Sequence, residues 1–233
     1  MMRSSDHLDT VWTLYHYSLC PFSRSVRLAM AEKGIRFQLV NEIPWENRDE
    51  FLDMNPNGET PVIRSLDHSV ILCGSLPIIE YFEEITPDTP LMGAGPLERA
   101  ETRRLIQWFD VKFYSEVLSL FLQELMWKRL MNKGSPSADN LRIAYKHLNQ
   151  HLDYTDALLD HRRWLGGAGF SLADINTAAH ISIIDYLGCT SWSGHPQTKA
   201  WYSAIKSRQM FRPFLQDRMA GIMPDPKYEF LDF

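Results

Sequence analysis

The chain has 233 residues, 45% of them hydrophobic and 23% charged, a balance that fits globular domains rather than disorder. Its formal net charge of −5 leaves no overall basic field for a nucleic-acid backbone, and no apolar run approaches the roughly 20 residues that insertion across a membrane requires. The three cysteines, Cys20, Cys73 and Cys189, are odd in number and far apart, which argues against a disulfide framework and for a reducing, cytoplasmic setting.

Residues 1–10 read as a polar arm; Asp6 and Asp9 and the lack of an apolar centre set them apart from a secretory signal. The β-branched and aromatic run Val11-Trp12-Thr13-Leu14-Tyr15-His16-Tyr17 predicts a first strand. Cys20-Pro21 then opens a helix, because a proline in the first turn lacks only an N–H that would be unpaired there anyway. Phe22, Val26, Ala29 and Met30 share one face at helical spacing, Arg24, Arg27 and Lys33 fall elsewhere, and Gly34 ends the helix. Phe37 to Val40 predicts a second strand, Arg48 to Met54 a short helix broken at Asn55-Pro56-Asn57-Gly58, and Pro61 to Arg64 and Val70 to Leu72 two strands joined near Asp67. Ser75 to Glu84 predicts another helix, with Ile78, Ile79 and Phe82 on its apolar face. The order β-α-β-α-β-β-α is that of a thioredoxin-like α/β domain over 11–86.

A stretch rich in proline and glycine, 87–97, is the natural linker. Beyond it strand signals vanish, and helical periodicity over 98–132, 138–159, 172–187 and 198–207 predicts an all-α domain spanning 98–221. Leu165-Gly166-Gly167-Ala168-Gly169 lacks the lysine and the preceding strand of a phosphate loop. His147 and His151 stand four apart on a helix and could share a metal ion, but a third ligand is missing and a solvated helix face is the simpler reading, so no metal is expected. Residues 222–233 contain Pro224 and Pro226, cannot be a simple helix, and form an aromatic-acidic tail.

Cys20 is the candidate catalytic residue. At the N-terminal edge of a helix, backbone N–H groups and the helix dipole favour an anion, so its thiol is expected to ionise more readily than usual and act as a nucleophile. Thr60-Pro61 opens the third strand either as an ordinary trans proline or as a cis bond that leaves the Thr60 N–H and C=O to pair with a peptide-like ligand. The Ser75 hydroxyl and the first-turn N–H groups could hold a carboxylate, or Ser75 could be a plain cap. Ser171-Leu172-Ala173-Asp174 has capping-box spacing and is read as structural. In the tail, Tyr228, Phe230, Leu231, Asp232 and Phe233 either anchor to a partner groove or pack back on their own domain.

With these residues in place, the chain resembles the glutathione transferases from Leu14 to about Phe214. Cys20-Pro21-Phe22 is similar to the active-site string of omega-type and glutaredoxin-like members, Thr60-Pro61 to the position that holds the cysteinyl part of glutathione, and Ser171–Asp174 to the family's buried capping box. The resemblance implies the glutathione-transferase fold, a homodimer, and glutathione as substrate or ligand at Thr60, Pro61 and Ser75. It also exposes a departure. Members that bind glutathione usually carry an acidic residue directly before the helix-opening serine, and here Gly74 stands in that place. Losing a charge-assisted hydrogen bond costs roughly 1.5–3 kcal/mol, or about 10- to 100-fold in affinity, unless Asp67 or a second subunit supplies a carboxylate.

Leu72-Cys73-Gly74, Trp108 to Tyr114, Ala179 to Gly188 and the terminal Pro226 to Phe233 resemble an alphaproteobacterial group within this family that acts in cell division by binding the tubulin-like protein FtsZ. That resemblance implies an FtsZ-binding factor with weak or no glutathione chemistry. The alternatives are a glutathione-dependent transferase or thiol transferase acting through Cys20 on small electrophiles or mixed disulfides, and a ligand-binding stress-response protein without a partner.

Overall fold

The computed structural model describes residues 11–231, so the arm read at 1–10 and the tail residues Asp232 and Phe233 lie outside the described residues. Contacts divide the chain between Leu91 and Met92. In the first unit β1 (Trp12–His16), β2 (Phe37–Asn41), β3 (Val62–Arg64) and β4 (Ile71–Cys73) form one mixed sheet in the order β2-β1-β3-β4. β1 runs parallel to β2, with Leu14 opposite Leu39, and antiparallel to β3, with Leu14 opposite Ile63. β3 and β4 pair antiparallel, placing Val62 opposite Cys73. A parallel pair needs a crossover, and α1 (Pro21–Glu32) supplies it. The short α2 (Asp49–Met54) and α3 (Ser75–Ile85) complete the thioredoxin-like order.

β1 is buried along its whole length, as expected of a central strand covered on both faces. Tyr15, Phe51 and Val62 form a core cluster against Val40 and Met54, and the Trp12 ring meets Phe82 edge-on at 5.4 Å. Arg24 and Arg27, which the spacing sets off the apolar face of α1, and Lys33 directly after the helix are all buried. Burying a cation is tolerable only with partners. Arg24 Nε donates to the Ser18 carbonyl at 2.8 Å. Lys33 Nζ pairs with Glu83 at 2.5 Å and donates to the Thr89 carbonyl at 2.7 Å, fastening the end of α1 to the end of α3.

The second unit is helical. α4 (Pro96–Gln107) continues without a break through wide π turns at Trp108–Leu118 and Leu122–Trp127, where the sequence predicts plain α periodicity. α5 (Ala138–Leu159), α6 (Leu172–Tyr186), α7 (Pro196–Lys206) and the short α8 (Arg212–Leu215) follow. All 15 residues of α6 are buried, which makes it the axis around which this unit packs. Asp185, near its C-terminal end, accepts from Lys206 Nζ at 2.9 Å and from the Tyr202 hydroxyl at 3.0 Å. Among the described residues no helix is long and apolar enough to cross a membrane.

Candidate functional site

The chain leaves β1, turns so that the Cys20 N–H donates to the Tyr17 carbonyl at 3.1 Å, and enters α1 with Cys20 as its N-cap in extended conformation and Pro21 in the first turn. The sulfur of Cys20 accepts from the Ser23 N–H at 3.4 Å, satisfying one of the helix's unpaired donors, and its S–H donates to the Thr60 carbonyl at 3.6 Å. This is the geometry of a neutral thiol acting as donor and acceptor at once. Burial pushes the Cys20 thiol up, outweighing the lowering effect of its contacts with Ser23, Thr60 and Phe22. The expected readily ionised thiolate is therefore corrected: desolvation outweighs the helix terminus.

Beside it opens a cleft of about 390 Å³, built entirely within the first unit. Phe22, Thr60, Pro61 and Ser75 line it, so three of the residues read as ligand-binding share one cavity that begins two positions beyond Cys20. The Thr60–Pro61 bond is cis. The Thr60 carbonyl receives the Cys20 thiol, while its N–H has no hydrogen bond among the described residues. The preceding Asn55-Pro56-Asn57-Gly58 turn is held by Asn55, whose side chain accepts from the Asn57 N–H at 3.3 Å and donates to the Glu59 carbonyl at 2.7 Å.

Gly74 and Ser75 form the opposite lip. The Gly74 N–H donates to the Pro61 carbonyl at 2.9 Å, and Gly74 caps α3 at φ 84°, in the left-handed region that a side chain disfavours. Ser75 is thus the first helical residue rather than the cap. The missing acidic side chain at Gly74 is not replaced by Asp67. That carboxylate is held low by the Ser65 and Ser69 hydroxyls and the Ser69 N–H, which build the β3–β4 turn, and it does not line the cleft. A carboxylate the sequence reading missed does line it. Glu59 is exposed, accepts from Asn57 Nδ2 at 2.7 Å and directly precedes Thr60; its place between the Asn-Gly turn and Thr60-Pro61 is the signal that could have found it. Cys73 lines the same cleft, with its thiol donating to the Met54 carbonyl at 3.4 Å.

The other predicted residues lie in the second unit. Ser171 and Asp174 face each other at the start of α6: the Asp174 carboxylate accepts from the Ser171 N–H at 3.0 Å and hydroxyl at 2.9 Å. It also accepts from the Leu165 N–H and the Trp201 indole N–H, both at 2.8 Å. His151 is buried, which corrects the solvated face read for it; Trp108 Nε1 donates to its Nδ1 at 3.0 Å and Glu116 lies 3.0 Å from its Nε2. No cluster of three metal-ligating side chains occurs among the described residues.

The tail divides. Tyr228 is fully buried, its hydroxyl donating to the Phe214 carbonyl at 3.1 Å and its ring packed edge-on against Tyr186 at 5.2 Å. Its assignment to a partner surface is corrected, since a side chain at zero exposure is an internal anchor. Phe230 and Leu231 are 59% and 41% exposed, and Asp232 and Phe233 lie outside the described residues.

Comparison with known proteins covers both units. The model of the glutathione S-transferase N-terminal domain matches residues 14–90 and that of the C-terminal domain residues 118–209. FtsZ-localized protein A of Caulobacter vibrioides is 44% identical over 223 residues, spanning 95% of this chain and 98% of that one. The structure of FzlA from C. crescentus superposes with a TM-score of 0.93, covering 95% of this chain and 99% of that one at 44% identity. A glutathione S-transferase from Rhodospirillum rubrum superposes at 0.92 with 41% identity, covering 95% and 100%. A stringent starvation protein A homolog of Haemophilus ducreyi is 25% identical over 90% of this chain and 92% of its own.

Proposed function

This chain belongs to the glutathione S-transferase family, and we propose that it acts there as a cytoplasmic cell-division factor of the FzlA kind, a homodimer that binds FtsZ with little or no glutathione chemistry. The observation that carries this reading is the 44% identity to FtsZ-localized protein A, which extends over 95% of the chain and so through both domains. The cleft supports it from the other side. Cys20 holds its proton through burial, and Gly74 offers no side chain to pair with an ammonium group. Phe230 and Leu231, held out by the buried Tyr228, are the side chains through which a partner would be engaged.

Co-sedimentation with FtsZ filaments tests this: the full chain is expected in the pellet with FtsZ and in the supernatant without it. Equal partition in both conditions would overturn the reading.

A second reading, glutathione-dependent thiol transfer through Cys20, is favoured by one observation: Thr60, Pro61, Ser75 and a carboxylate, Glu59, all line a single cleft next to that thiol. Glutathione would then be the ligand of this cleft. Calorimetric titration of reduced glutathione into the reduced protein separates the two. The division-factor reading expects no binding tighter than about 1 mM, equivalent to roughly −4 kcal/mol. Tighter binding would show that the missing side chain at Gly74 is compensated and would favour the enzyme.

A further inference from the structure

A second concavity, of about 320 Å³, lies wholly within the helical unit, where the turn after α5 meets the exposed side of α7. Its floor is nearly bare: Ala200 and Ala204, four apart and so stacked on one helix face, are both exposed, and Gln197 continues the same face toward the start of α7. Trp164 forms a wall, its ring steadied edge-on by Phe170 at 5.0 Å. Trp201 closes the base with an indole N–H already committed to Asp174, so it offers only its ring.

The rim is cationic. Arg162 is fixed in place, its Nη1 donating to Glu101 at 2.7 Å and to the Leu165 carbonyl at 3.0 Å. Arg163 is exposed, sits 5.9 Å from the centre of the Trp164 ring, and makes no hydrogen bond or ion pair among the described residues. A further guanidinium, that of Arg208, stands 4.1 Å over Phe170 and prolongs the aromatic edge. On a chain of net charge −5, this places guanidinium groups and indole rings around a floor of methyl groups.

We propose that this groove docks an acidic peptide segment of a partner protein, with an apolar side chain seated over Ala200 and Ala204 and a flanking carboxylate paired with Arg163. Charge and shape select that occupant. A guanidinium pairs with carboxylates through two parallel hydrogen bonds, and that of Arg163, 5.9 Å from the Trp164 ring centre, has no competing hydrogen bond or ion pair among the described residues. The alanine floor leaves a recess for a side chain, and the Gln197 amide can donate to and accept from an extended backbone. A flat anionic membrane would not reach a recessed floor, and a nucleic acid needs a longer track of cations than two arginines supply. The groove shares no residue with the tail, so the proposal does not rest on the FtsZ reading.

The test uses the full chain and a fluorescein-labelled peptide, Glu-Asp-Glu-Phe-Asp-Glu, beside a counterpart with lysine at each acidic position. Saturable binding of the acidic peptide, weakened by added salt and absent for the lysine peptide, is expected. Arg163→Glu should reduce affinity at least about ten-fold, or about 1.4 kcal/mol. Ala200→Trp should abolish binding by filling the floor, with the helical circular dichroism unchanged; should that variant fold poorly, Ala204→Leu tests the same floor. The proposal is overturned if the acidic peptide fails to bind at about 1 mM, if the lysine peptide binds equally, or if affinity survives either Arg163→Glu or a well-folded floor variant. Phosphatidylglycerol vesicles that recruit the parent chain but not Arg163→Glu, while the peptide stays unbound, would assign the face to a membrane instead.

Discussion

Cys20 shows how one residue's chemistry follows from the competition between two fields. The helix terminus favours an anion at its sulfur, but burial removes the water that would solvate that anion, and desolvation is the larger effect. The same sulfur caps α1 and donates to Thr60, roles that suit a thiol better than a thiolate. At neutral pH the fraction ionised is therefore below that of an ordinary cysteine. Alkylation by iodoacetamide, followed by peptide mapping because Cys73 and Cys189 are also present, should rise with pH along a curve centred above the usual value of about 8.5. A midpoint below that value would restore Cys20 as an activated nucleophile. A thiol held neutral beside the cleft needs a ligand, or a shift in its surroundings, before it can attack anything.

At the scale of elements, two buried carboxylates set where helices of the second unit begin. Glu124 reaches across to the start of α5, accepting from the Ser137 N–H and from Asn140 Nδ2, both at 2.7 Å, and pairing with Lys128 at 2.6 Å. These partners, Asn140 first, bring its pKa from the ordinary 4.5 to about 2. Because the folded value is the lower one, its stabilisation is present above about pH 4.5 and is lost as pH falls toward about 2. Glu124→Gln would turn an amide N–H toward another donor, and should cost about 1–3 kcal/mol at neutral pH in chemical denaturation. It should also flatten the acid limb of the stability profile. A variant with the parent's acid profile would show that Glu124 does not set it. Asp174 performs the parallel task for α6, and the spacing of Ser171 and Asp174 made that visible in the sequence alone.

The elements of the first unit were legible for the same kind of reason: Cys20-Pro21, Asn57-Gly58 and the apolar runs of β1 and β3 are local signals with local causes. The burial of Arg24 and Lys33 was not, since nothing in the spacing of α1 tells that Ser18 will receive the first and Thr89 and Glu83 the second. His151 misled in the same way, because its partners Trp108 and Glu116 come from a segment 35 or more residues away. The site was half legible. Thr60, Pro61 and Ser75 do share a cleft, whereas Glu59 and the neutral state of Cys20 depend on a loop path and a degree of burial that sequence does not encode locally.

For the molecule as a whole, the tail is rooted in the fold, so the partner role proposed for its tip needs a test that leaves the fold intact. Removing Pro224 to Phe233 would take out Tyr228, whose ring packs on Tyr186 and lies 5.3 Å from the buried Lys206 ammonium. Lys206 is in turn paired with Asp185 of the central helix, so the tail is rooted in the most buried element of its unit. A truncation would confound loss of partner with loss of fold. Point variants separate them. Tyr228→Ala empties a fully buried aromatic site and should cost about 3–5 kcal/mol, seen as a lowered Tm. Phe230→Ala with Leu231→Ala removes only exposed surface and should leave Tm within a degree or two, since surface changes usually stay within about 0.5 kcal/mol. If the tail presents these side chains to FtsZ, the double variant keeps its fold and loses co-sedimentation. A double variant that unfolds would make the tip part of the core, and one that still pellets with FtsZ would move the contact elsewhere on the molecule.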